Sequence, residues 1–298
     1  MLPLEPAMSL QCSECKNVFD MPAVRCPHCG EPPGVFPNVW AAQQQENVDE
    51  LDRRFQDALA DAKARGCEAI ALAFLAKVAD SKAVIARQIH DIERLSYSDR
   101  ELYATYHQQL NAQIRLPYGD EWDEFRRSAD EALFPGYKEE IRFAALSLGD
   151  IGVSNYGDWS MMLRTPLIQK RASAFVENSL VFVRDRKVPI AEAKRAFIGY
   201  RACWADRAKL SVAKLVRKMT AATTVADLPG LLLEQAPPGK SADDRFVEVH
   251  IFGPLTIRTV EKVTLVKARD SRRLAKASRL RAIEKSLAKM NVTLGVQP

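Results

Sequence analysis

The residues best equipped for chemistry come early in the chain. Cys12-Ser13-Glu14-Cys15 and Cys26-Pro27-His28-Cys29-Gly30 are two CxxC pairs with ten residues between them. A CxxC turn aims two thiolates at one ion, a trailing glycine lets the backbone turn back, and four sulfurs close a tetrahedral structural site. The spacing therefore predicts one zinc ion held by Cys12, Cys15, Cys26 and Cys29. A redox pair or free thiols would not explain why two pairs recur across a short spacer. So small a module cannot build a core of its own, so metal binding, worth roughly 10 to 16 kcal/mol in finger peptides, supplies its folding energy. His28, between the ligands, is expected to point outward. Cys67 and Cys203 stand alone in helical-looking sequence, so cysteine usage reads as metal binding, not disulfide bonding.

A second constellation lies near the other end. From Asp243 to Ile257 the chain alternates apolar and polar residues at the strand period. Phe246, Glu248 and His250 then share one face, while Val247, Val249 and Ile251 share the other and pack into a core. A carboxylate and an imidazole stand side by side. Either this is an exposed sheet face carrying two polar residues, or Glu248 is a catalytic carboxylate on a strand with His250 beside it.

The elements that must position these groups follow from composition and punctuation. With 298 residues, 47% hydrophobic and 27% charged, the chain suits an ordinary globular protein of one large or two smaller domains. No apolar run approaches the roughly 20 residues of a membrane span, and the first residues lack a secretory signal, so a cytoplasmic protein without a membrane partner is expected. The net charge of +5 is modest, but Lys267 to Lys289 holds nine basic residues against two acidic ones. The expected class is α+β: a zinc ribbon over 1–33, a Pro/Gly-rich linker, a helical hairpin or bundle over 41–116, a mixed domain with two small packed sheets over 117–266, and a basic C-terminal helix over 267–298. In the spacer, Ser98-Asp99-Arg100-Glu101 has the form of a capping box, and His90 and His107 lack metal-ligand spacing and read as surface or packing residues. Pro189 to Met219 reads as one long amphipathic helix. In the tail helix, Leu280, Ile283, Leu287 and Met290 are expected inward and Arg272, Arg273, Lys276, Arg279 and Lys285 outward, either as a solvated face or as a phosphate-binding one. Gly239-Lys240-Ser241 is not the end of a phosphate loop, because the motif's first glycine is replaced by Glu234.

Residues 155–180 and 244–265 together resemble a domain of bacterial and phage-associated ADP-ribosyltransferase-like toxins. The likeness rests on Tyr156-Gly157, on Arg171-Ala172-Ser173, on Ser179, and on Glu248 followed by His250, Gly253 and an apolar turn, and it spans roughly residues 140–266. It implies NAD bound in a cleft between two packed sheets, with Glu248 holding the nicotinamide ribose and stabilising an oxocarbenium-like transition state. It further implies Ser173 or Ser179 shaping the nicotinamide pocket, Tyr156 or Arg171 covering or pairing with NAD, and Arg142 as a possible arginine of the first motif. Phe246 stands where many members carry a second acidic or amide residue, which argues against an arginine acceptor and for nucleic acid, another side chain or water. Two functions follow as expectations. One is an NAD-dependent ADP-ribosyltransferase, a toxin or effector acting on a nucleic-acid or protein target. The other is a non-enzymatic zinc-ribbon protein that binds nucleic acid or a protein partner.

Overall fold

Short runs rich in β-branched residues and alanine assemble into one large sheet. The computed structural model describes residues 9–12, 14–21, 23–31, 34–111, 121–189, 193–240, 243–266 and 277–297. Strands β1 (Ser9–Gln11) and β2 (Val18–Asp20) form an antiparallel hairpin. Strands β3 (Lys82–Arg87), β4 (Ile141–Ser147), β5 (Trp159–Leu163), β6 (Ala172–Phe175), β7 (Arg201–Cys203), β8 (Glu248–Phe252), β9 (Val260–Val266) and β10 (Thr293–Gln297) form a second sheet in the order β10-β9-β5-β3-β4-β8-β6-β7. All its pairings are antiparallel except β10 with β9. Around it lie helices α1 (Pro37–Ala42), α2 (Gln45–Ala64), α3 (Glu68–Ala79), α4 (Ile89–Tyr97), α5 (Tyr106–Asn111), α6 (Glu121–Leu133), α7 (Thr165–Ile168), α8 (Ser179–Asp185), α9 (Ala193–Ala196), α10 (Arg207–Leu215), α11 (Leu228–Leu232) and α12 (Ala277–Lys289). The class is α+β, as expected, but in place of two small packed sheets over 117–266 the described strands of that span form one sheet, joined by β3 and β10 from outside it; the second sheet is the ribbon hairpin.

Helical periodicity accounts for the packing of the longer helices. Leu51, Phe55, Ala58 and Ala62 line the buried stripe of α2, which packs on α3 and α10. In α12, Ile283 and Leu287 are buried and Leu280 half-buried, as is Met290 just past its end, as their spacing predicts, and the helix packs on α4 and β10. Among the described residues, no helix is long and apolar enough to cross a membrane.

Four other expectations change. The helical spacer is interrupted by β3, which lies between β5 and β4 near the middle of the sheet. Its core residues Ala83, Val84, Ile85 and Ala86 are buried on both faces, and so short an apolar run has no periodicity to separate strand from helix. The helix expected over Pro189–Met219 divides into α9, β7 and α10, because the chain turns at Gly199 (φ 73°) and Arg201–Cys203 gain ladder bonds to β6. The chain ends in a strand: after α12, β10 pairs in parallel with β9. Finally, the proline-rich linker does not isolate the ribbon, since Trp40 of α1 packs against its core. Arg272, Arg273 and Lys276 fall outside the described residues. Lys285 is exposed, and Arg279 is engaged by Glu93 on α4.

Candidate functional site

The four N-terminal cysteines converge. Their Sγ atoms all lie within 4.8 Å of one another, with Cys12–Cys29 at 3.7 Å and Cys15–Cys26 at 3.6 Å. A tetrahedral ion with Zn–S bonds of about 2.3 Å requires sulfur separations of about 3.8 Å, so the set fits a thiolate-bound metal. Both knuckles are built alike. Lys16 N–H donates to the Cys12 carbonyl at 3.1 Å and Gly30 N–H to the Cys26 carbonyl at 2.9 Å, and both residues are left-handed, at φ 62° and 76°. The second knuckle uses glycine there, as the sequence suggests, while the first accepts a lysine. The Asn17 backbone N–H holds the Cys15 thiol down to about 6. At Cys29 the Glu31 backbone N–H acts the same way, but burial and the three neighbouring thiols outweigh it and push that group up to about 12. Thiolate ligation of a cation at this cluster would displace the protons its thiols carry. His28 is exposed and is not among the converging ligands.

On β8, Glu248 and His250 share a face and touch. His250 Nε2 lies 2.9 Å from Glu248 Oε2, and the same oxygen accepts the Ser179 backbone N–H at 3.0 Å. The sheet register explains the meeting. Glu248 is opposite Ala145 of β4 and Phe175 of β6, and His250 is opposite Phe143 and Ser173. Ala145 opposite the carboxylate packs with Val153 and Phe246, while the imidazole is walled by rings, with centroids of Phe134 at 4.7 Å, Phe143 at 5.5 Å and Phe175 at 5.9 Å. After β6 the chain turns through Glu177 and Asn178 into α8. Asn178 caps that helix by accepting the Leu180 N–H at 3.1 Å, which leaves the preceding Ser179 N–H free to reach Glu248. Where the resemblance implies a cleft between two sheets, these strands belong to one sheet whose Glu248 face is covered by α8 and the Phe134 end of α6. Glu248 and His250 are 5% and 3% exposed. Both hydrogen bonds to the carboxylate fall on Oε2; among the described residues Oε1 accepts none.

The other expected site residues separate into two groups. Tyr156 joins the site: its hydroxyl lies 3.4 Å from Asn178 Nδ2, and burial, followed by the charges of Glu248 and Asp244, pushes its phenol up to about 12. It is delivered by Gly157, where a Cβ would stand 2.2 Å from the Arg87 carbonyl carbon and oxygen of β3. Ser179 contributes its backbone, and Ser173 sits opposite His250 with its hydroxyl taken by Asn38 Nδ2 at 3.2 Å. Arg171 does not reach Glu248. It extends β6 toward the position of Phe252, about 13 Å along the strand from Glu248. There it donates to the Phe252 carbonyl at 2.5 Å and the Leu167 carbonyl at 3.1 Å. Arg142 is opposite Ile251, on the other face of the sheet, and donates to Glu140 and Gln108. Both arginines donate to protein oxygens, Arg171 to backbone carbonyls and Arg142 to Glu140 and Gln108, and neither stands beside Glu248.

Three features escaped the sequence reading. The Asn178-Ser179 start of α8 carries an N-cap signature that could have been found. The aromatic wall and Asn38 depend on long-range pairing and gave no local signal. His107, expected as a surface or packing residue, is a packing one: it is buried with its Nε2 2.8 Å from Asp130 Oδ2, and Asp130 lies one helical turn before Phe134. No family model matches this chain, and no curated protein is similar enough to it to be called a relative.

Proposed function

We propose that the chain is an NAD-dependent ADP-ribosyltransferase, a toxin or effector whose ribbon holds one structural zinc ion through Cys12, Cys15, Cys26 and Cys29. The observation that carries the enzymatic reading is the asymmetry of the Glu248 carboxylate. Ser179 N–H and His250 fix Oε2, and Oε1 is left without a hydrogen bond among the described residues. A carboxylate held this way suits a cationic transition state. The bond from ribose C1′ to the nicotinamide nitrogen breaks with its electron pair going to the ring, positive charge develops on the sugar, and Oε1 stabilises it. The acceptor's oxygen or nitrogen then bonds to C1′ and loses its proton. His250 orients Glu248, and Tyr156 with Asn178 borders the same site. Phe246 occupies the position two before Glu248 and packs with Val153 and Ala145, so no second carboxylate stands there to deprotonate a guanidinium. Nucleic acid, a non-arginine side chain or water is the favoured acceptor. Thiolate ligation suits a reducing compartment such as the cytoplasm.

A second reading is favoured by the burial of the pair beneath phenylalanine rings. In it Glu248 and His250 are a structural tie, and the ribbon together with exposed Arg281, Lys285 and Lys289 on α12 binds nucleic acid or a protein. Incubation of the purified chain with labelled NAD, alone and with a cell lysate, separates the two. Released nicotinamide and transferred label are expected. Their absence with every acceptor, alongside salt-dependent nucleic-acid binding, would replace the enzymatic reading with the binding one. Metal analysis should find one zinc per chain.

A further inference from the structure

Helix α1 stands between the ribbon and the strand that carries Glu248 and His250. On one side Trp40 packs against the ribbon core of Cys12, Phe19, Met21 and Cys26. On the other, Asn38, itself 3% exposed, directs its side-chain amide at three acceptors: the His250 carbonyl at 3.0 Å, Ser173 Oγ at 3.2 Å and the Arg171 carbonyl at 3.2 Å. Phe36, just before the helix, packs its ring 5.3 Å from that of Phe252 at the end of β8. The helix has six residues, far short of the dozen or so that an isolated helix needs to persist in water. It therefore holds its shape by being gripped from both sides.

We propose that α1 makes the geometry of the Glu248–His250 strand depend on the metal state of the ribbon, with Asn38 as the positioning residue. The four-thiol cluster draws its folding energy from the ion. When the ion is lost, the surface under Trp40 dissolves, α1 frays, and Asn38 withdraws from its three acceptors across β6 and β8. Those strands are vulnerable because only the three-residue β7 lies outside them in the sheet. A chelator or thiol oxidant would then loosen the Glu248 site without touching it. The inference rests on the zinc reading of the cysteines and not on the NAD reading of Glu248.

The test is hydrogen exchange on the full chain, as isolated, after chelation, and after zinc is restored, with metal content measured in each state. Chelation should speed exchange in Ala172–Phe175 and Glu248–Phe252 by about tenfold or more, reversibly, while β3 and β5 stay within about twofold. Metal-loaded Asn38→Ala should already exchange fast in β6 and β8 and respond little to chelation. Stripping the wild type decides the matter even if that variant folds poorly. A chain isolated without metal overturns the inference together with the zinc reading. If metal is present and leaves, but β6 and β8 keep their protection, the coupling alone is overturned. It is equally overturned if all strands lose protection together, since that is global unfolding. Nicotinamide release, measured in parallel, distinguishes failure of the enzymatic reading from failure of the coupling.

Discussion

Glu248→Gln separates a structural carboxylate from a catalytic one because it acts on two different energy scales. The glutamine has nearly the same volume and can set its amide oxygen where Oε2 now stands, so the Ser179 N–H and the His250 Nε2 both keep an acceptor. Each bond changes from charge-assisted to neutral, a loss of about 1 kcal/mol apiece. Folding stability should therefore fall by about 1 to 2 kcal/mol, which urea titration resolves. If the carboxylate stabilises a sugar cation, removing its charge costs about 3 to 4 kcal/mol of barrier, or roughly 10² to 10³ in rate. Glu248→Ala supplies the contrast, since it leaves two buried donors unpaired and opens a cavity, and should lose about 3 to 5 kcal/mol of stability. The assay is nicotinamide release under single-turnover conditions on the preparations used for the urea titrations. A Gln variant that loses its 1 to 2 kcal/mol and turns NAD over at the wild-type rate (both figures being about the size set by lost charge assistance) would show that the pair is only a tie between β8 and α8.

Three other outcomes can be checked independently of NAD. Burial pulls the Lys214 ammonium down to about 8 despite Glu177 and Glu234 nearby, while it donates to the Arg245 carbonyl. Between that value and the 10.5 of a free lysine, the unfolded chain binds a proton that the folded chain lacks, so stability rises with pH across the window, by about 3 kcal/mol in all. Lys214→Met should accordingly stabilise the protein at pH 7 by about 2 kcal/mol, after the lost hydrogen bond is allowed for, and flatten the rise in alkaline unfolding curves. A less stable variant at pH 7 would contradict this. Gly157→Ala would drive a methyl into the β3 backbone at Arg87 and should cost about 3 kcal/mol or more in urea unfolding; a loss under about 1 kcal/mol would disprove the close approach. In the tail, replacing Arg281, Lys285 and Lys289 by glutamine should lower the salt slope of any nucleic-acid binding by about 0.9 for each phosphate contact removed, and an unchanged slope would eliminate α12 as the contact surface.

How much of this arrangement could be read from sequence depends on the distance over which each part is determined. The cysteine cluster is local: two turns of four residues set the ligand directions, and the ten-residue spacer need only bring them together. The shared face of Glu248 and His250 is local too, being a consequence of the two-residue strand period. The inner positions of α12 follow from helical spacing in the same way. Register is different. Arg171 lies on the face the period predicts, yet pairing of β6 with β8 sets it beside Phe252 and not beside Glu248, and nothing within either segment specifies that offset. β3 was hidden because a strand covered on both faces loses the alternation that would reveal it. Asn38 is the extreme case, since it stands 135 residues from Ser173 and 212 from His250, its bonding partners, and appears in sequence as one asparagine after a proline. A local reading makes the proline-rich segment a boundary, because it ends one composition and begins another. In the fold the helix that follows it is the bridge: too short to stand alone, it packs on the ribbon on one side and hydrogen-bonds the Glu248 strand on the other. The recognisable motif and the recognisable carboxylate are therefore contacted by one helix whose residues neither motif contains.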